Sequence, residues 1–69
     1  MDKKEQKQVI EALLFLSEEP VGADRIASVL TISTEEIISL VQEIQDEYSS
    51  SGRGLQIHEI AGGFQMGTI

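Results

Sequence analysis

The stretch Leu30-Thr31-Ile32-Ser33-Thr34-Glu35-Glu36-Ile37 decides the fold, because the end of one helix and the start of the next both fall inside it. Ser33 followed by Glu36 has the form of a capping box, in which the serine oxygen accepts from an orphan amide and the glutamate reaches back. A helix therefore starts at Ser33. Upstream, Ile26, Ala27, Val29 and Leu30 make the apolar face of a short helix that begins near Gly22 to Asp24. Downstream, Ile37, Leu40, Val41, Ile44 and Tyr48 share one stripe until Ser49-Ser50-Ser51-Gly52, a run that favours turns over helix. Two helices joined by so short a turn form a helix-turn-helix.

Working outward, the segment between Lys3 and Glu18 repeats Val9, Ala12, Leu13 and Leu16 at helical spacing, with Ile10, Leu14 and Phe15 beside them. Glu18-Glu19-Pro20 ends this first helix, because proline disfavours helix in the residue before it and has no amide to donate. Val21 then reads as a brief extended residue. On the other side, Leu55-Gln56-Ile57-His58-Glu59-Ile60 alternates between Gly54 and Gly62-Gly63 and reads as a strand. With Gly62 and Gly63 at the centre of a two-residue turn, Ala61 pairs with Phe64, Glu59 with Met66 and Ile57 with Thr68. Leu55, Ile57, Ala61, Phe64 and Met66 then share the buried face, with Glu59 pointing inward among them. Gln56, His58, Ile60 and Gln65 fall on the wetter one.

The fold class is α+β: a winged helix-turn-helix, three helices followed by a two-stranded β-hairpin wing. Residues 1–69 make a single domain, without repeats or low-complexity segments. The sequence stops soon after the second strand begins, as a fragment of a longer protein would. So short a domain leaves little stability to spare, and help from a partner is expected.

Net charge is −7, from twelve acids against five bases. That sign repels phosphate backbones at long range. The absence of cysteine removes disulfides and thiolate ligands and fits a cytoplasmic protein. The longest apolar run, Ala12 to Leu16, is far short of the roughly 20 residues that span a bilayer, so no membrane role is visible.

Chemistry is sparse. His58 is the sole histidine, so a zinc site would need carboxylates for most of its ligands, and it reads as a partly exposed strand residue. The adjacent pairs Glu18-Glu19 and Glu35-Glu36 point about 100° apart on a helix and do not face a common substrate. Gly52-Arg53-Gly54 lacks the later residues of a phosphate loop and precedes a strand, so it reads as a turn. No catalytic residue, metal site or cofactor is expected.

A DNA-reading helix-turn-helix lays its second helix in the major groove with basic and amide side chains outward. Here that helix offers Glu35, Glu36, Ser39, Gln42, Glu43, Gln45, Asp46 and Glu47, without a lysine or arginine. The bases lie elsewhere, at Lys3, Lys4, Lys7, Arg25 and Arg53. A wing arginine such as Arg53 can touch a minor groove, but one arginine supplies one or so of the contacts that affinity requires. No DNA-binding residue is assigned. A winged-helix DNA-binding transcriptional regulator remains the competing reading.

Helix one carries more apolar surface than a small core needs. Either it is central and nearly surrounded, or its outer edge at Ile10, Leu14 and Phe15 meets a second chain. Ile38, off the main stripe of the third helix, and Ile60, on the wet face of the wing, add to the excess. A homodimer burying Ile10, Leu14, Phe15, Ile38 and Ile60 would supply stability that the short chain lacks.

Val9-Ile10-Glu11-Ala12-Leu13-Leu14-Phe15-Leu16-Ser17-Glu18-Glu19-Pro20-Val21 resembles the opening helix of the segregation and condensation protein B family. Gly52-Arg53-Gly54-Leu55-Gln56-Ile57 and Ile60-Ala61-Gly62-Gly63-Phe64-Gln65-Met66 resemble that family's second signature, so the likeness covers almost the whole chain. The resemblance implies a non-enzymatic chromosome-partition subunit of two winged-helix domains that dimerises and clasps the kleisin subunit, segregation and condensation protein A. That assembly is the bacterial SMC–kleisin condensin complex, cytoplasmic and associated with the nucleoid through the complex. The amino-terminal domain is expected to supply the homodimer contact and the carboxy-terminal domain, absent from this sequence, much of the kleisin grip. Direct sequence-specific nucleic-acid binding is not implied.

Overall fold

A computed structural model describes residues 1–52 and 54–68. The elements in chain order are α1 (Lys3–Leu16), β1 (Val21–Gly22), α2 (Ala23–Leu30), α3 (Thr34–Ser51), β2 (Leu55–Ile60) and β3 (Gly63–Thr68). This is the winged helix-turn-helix, with a short first strand where Val21 was read as extended. The strands form one antiparallel sheet in the order β1-β3-β2.

Each helix is started by local chemistry. At α1 the Asp2 carboxylate accepts from the Glu5 amide at 2.8 Å while Glu5 accepts from the Asp2 amide, a reciprocal capping box. Ser33 Oγ accepts from the Glu36 amide at 3.2 Å, but Glu36 makes no return bond among the described residues, so only half of the expected box forms. Between α2 and α3 the chain turns at Thr31, whose φ of 61° is left-handed, and the Thr31 amide donates back to the Ala27 carbonyl.

Two helix ends differ from the sequence reading. α1 stops at Leu16, before the glutamates, where Ser17 turns extended and its hydroxyl donates to the Leu13 carbonyl at 2.7 Å. α3 runs on through Ser49 and Ser50 to Ser51 and ends at Gly52, with φ 65° and its amide on the Tyr48 carbonyl. Tertiary packing of the buried Tyr48 overrides the weak helix preference of the serines.

The hairpin register also differs. Ala61 and Gly62, with φ of 50° and 80°, are the central turn residues, so Ile60 pairs with Gly63, Glu59 with Phe64, Ile57 with Met66 and Leu55 with Thr68. The shift is even, so the strand faces are kept. Ala61 moves into the exposed turn, and Glu59, although on the Phe64 face, lies near the tip and stays exposed. Gly63 is used for close approach instead of for turning. A Cβ there would lie 3.1 Å from Pro20 Cβ and 3.2 Å from the Val21 backbone, where β1 pairs with β3.

Ile10, Leu14, Ile26, Ile37, Val41 and Ile44 are the fully buried centre, contributed by all of the helices. Val21, Ile57 and Phe64 close it from the sheet, with Leu13, Leu30, Leu55 and Met66 packed at its margin. The core stripe of α1 is therefore Ile10 and Leu14, and Ala12 and Leu16 of the expected stripe are exposed. Two proposed dimer-contact residues, Ile10 and Leu14, are corrected by this packing. They are 0% and 1% exposed and offer no surface to a second chain.

Candidate functional site

α3 occupies the position of a reading helix, and its outward face is acidic. Ile37, Leu40, Val41, Ile44 and Tyr48 turn into the core, which leaves Glu35, Glu36, Gln42, Asp46 and Glu47 exposed and Glu43 half-buried. Glu35 and Glu36 sit in the first turn, where the helix dipole favours negative charge.

The lysines of α1 pack along the α1–α3 seam. Lys3 Nζ lies 3.0 Å from Glu43 Oε2 and Lys7 Nζ 3.1 Å from Glu43 Oε1, and Lys7 also bonds Glu47. One turn further on, Tyr48 donates its hydroxyl proton to Glu11 Oε2 at 2.6 Å. Hydrogen bonds that Lys7 donates to Glu47 and then to Glu43 raise its pKa above the ordinary value. Bonds from Lys3 and then Lys7 hold the Glu43 carboxyl below its own. These lysines face acids of the same chain, so they are not arranged as a phosphate-binding stripe. Lys4 and Arg25 are exposed on α1 and α2, and Lys4 lines a groove that it shares with Asp46, Glu47 and Tyr48 of α3. Arg53, the wing arginine considered for a minor groove, lies outside the described residues, as does the middle of its Gly-Arg-Gly turn.

Exposed apolar side chains are the second feature. Phe15 and Leu16 at the end of α1 are 74% and 79% exposed, and Ile38 and Ile60 are 43% and 42% exposed. Phe15, Ile38 and Ile60 thus have the exposure that a contact with another chain requires. Leu16 and Val29 join them, and both were placed on core faces by spacing alone. The signal that could have exposed this error is the match of Lys3, Lys7 and Glu11 with Glu43, Glu47 and Tyr48, since a polar seam rotates α1 until Ile10 and Leu14 face inward.

His58 is exposed on β2, its ring beside Gly67, where an added Cβ would come within 3.3 Å of Cδ2. Among the described residues no three His, Asp or Glu side chains are grouped to hold a metal ion. No helix among them is long and apolar enough to cross a membrane.

The sequence profile of the segregation and condensation complex subunit ScpB matches residues 8–69. The chain belongs to the ScpB family. It is similar to segregation and condensation protein B of Bacillus mycoides (strain KBAB4), 42% identical over 69 residues, which cover 99% of this chain and 36% of the relative. The protein of the same name from Brevibacillus brevis is 37% identical over 70 residues, covering 100% of this chain and 36% of its own length. The chain thus spans about a third of the length of these ScpB relatives.

Solved ScpB structures agree in fold. ScpB from Mycobacterium tuberculosis superposes with a TM-score of 0.92 at 29% identity, covering 100% of this chain and 43% of that one. A dimer of a ScpB N-terminal domain complexed with a ScpA peptide superposes at 0.88 with 34% identity, covering 96% of this chain and 83% of that one.

Proposed function

We propose that this domain is a non-enzymatic, homodimerising scaffold element of the bacterial SMC–kleisin condensin complex, acting in the cytoplasm in chromosome condensation and segregation during cell division. The observation that carries the reading is the surface of α3. A helix in the reading position that turns five acids outward, with the neighbouring lysines paired to two of them, repels a phosphate backbone and suits contact with protein.

Homodimer contact is assigned to Phe15, with Leu16 beside it, and to Ile38 and Ile60, the large apolar side chains that water does not favour. The ScpB N-terminal domain solved as a dimer with a ScpA peptide supports both a second copy and the kleisin as partners. Much of the kleisin grip belongs to the second winged-helix domain of the full-length protein, and SMC contact to the assembled complex.

The test is co-purification of this domain, and of the chain extended through its second domain, with a kleisin fragment. The extended chain retains the fragment if the reading holds. Failure of both to retain it overturns the scaffold role. Duplex DNA affinity at low salt that falls steeply as salt rises would favour the winged-helix transcriptional regulator instead.

A further inference from the structure

Among the described residues, the order β1-β3-β2 gives the strand β2 a neighbour on one side only. Ile60 and Gly63 close the two-residue turn and exchange ladder hydrogen bonds, so strict alternation sends the N–H and C=O groups of Glu59, Ile57 and Leu55 away from β3. An independent contact agrees. Gln45 Nε2, on α3, donates to the Ile57 carbonyl at 2.9 Å, which places that carbonyl on the open flank. Among the described residues no side chain or loop bonds the N–H of Ile57 or of Glu59.

We propose that Gln45 guards this edge, holding off a second copy of the chain that would otherwise add its own β2 to the sheet. An unpaired strand carrying Leu55 and Ile57 is a template for another strand unless it is covered or charged. Antiparallel pairing about a two-fold axis at Ile57 would set Leu55 of one copy opposite Glu59 of the other, with no like charges facing each other. Charge on the strand therefore does not prevent the pairing. The Gln45 amide does, because it sits at the centre of the edge and occupies the acceptor that the incoming strand's Ile57 N–H would need. Every copy presents the same edge at the same concentration, which makes a second copy the partner the geometry favours. This contact is separate from the apolar end of α1.

Residue-resolved amide exchange against protein concentration tests the guard in the whole chain. The wild type is compared with Gln45→Ala, with Gln45→Asn, whose amide is one methylene short of Ile57, and with Gln45→Lys, which keeps a donor of similar reach. Circular dichroism establishes which variants are folded. In the wild type and Gln45→Lys, exchange at Ile57 and Glu59 is independent of concentration. In Gln45→Ala and Gln45→Asn it slows progressively as concentration rises. Identical rates in all four proteins at every concentration, or concentration-dependent protection already present in the wild type, would overturn the proposal. Association through α1 leaves these amides unchanged, so the two contacts are told apart in one experiment.

Discussion

Leu14 and Phe15 are neighbours in the chain, yet Leu14 is 1% exposed and Phe15 74%. Truncating Ile10 or Leu14 to alanine is expected to cost about 2–5 kcal/mol in urea denaturation, because each leaves a cavity at the centre of a small core. Phe15→Asp should change the stability of the single, unassociated chain by no more than about 0.5 kcal/mol, as exposed positions do, and act through association. Among the described residues, Thr31 at φ 61° and Ala61 at φ 50° hold backbone that their type disfavours. Ala61→Gly is predicted to raise stability by about 1 kcal/mol, read as an upward shift in melting temperature. What periodicity could not reveal was the rotation of α1. Val9, Ala12, Leu13 and Leu16 form as good a stripe as Ile10 and Leu14 when only apolarity is counted, and the choice is made by Lys3 and Lys7, whose partners lie on another helix.

A polar seam supplements the core where α1 meets α3. Lys7 has a raised pKa, so its contribution is complete below the unfolded lysine value of 10.5 and is lost as pH rises through its higher folded value. Glu43 has a lowered pKa, so its contribution is complete above its unfolded value of 4.5 and is lost as pH falls through its lower folded value. The seam is thus at full strength across neutral pH and weakens at both extremes. Glu43→Gln should flatten the acid side of a stability-against-pH curve, and high salt should narrow the difference between variant and wild type. The sheet has its own critical residue. Gly63→Ala sets a methyl against Pro20 and the Val21 backbone and is predicted to cost about 1–3 kcal/mol, with β1 amides losing exchange protection first. The existence and order of the helices and wing were legible from caps, the single proline and alternation. The hairpin register was not, because Gly62 and Gly63 offer the same turn signal and only the approach of β1, distant in sequence, requires glycine at the second.

At the scale of the whole molecule, charge and shape point in different directions. The shape is that of a DNA-reading module, whereas the charge of −7 and the acidic face of α3 oppose DNA. Membership of the ScpB family supports the proposed protein scaffold, and in that proposal the domain's small size gives dimerisation a thermodynamic purpose, since association adds to the stability of a short chain. In the proposed assembly this domain meets a second copy through the apolar side chains its own core leaves outside. Sedimentation equilibrium of the wild type and Phe15→Asp at micromolar concentration tests that contact. The wild type is expected at the mass of two chains, and the folded variant shifted toward one. A wild type that sediments as a single chain at every concentration would contradict it.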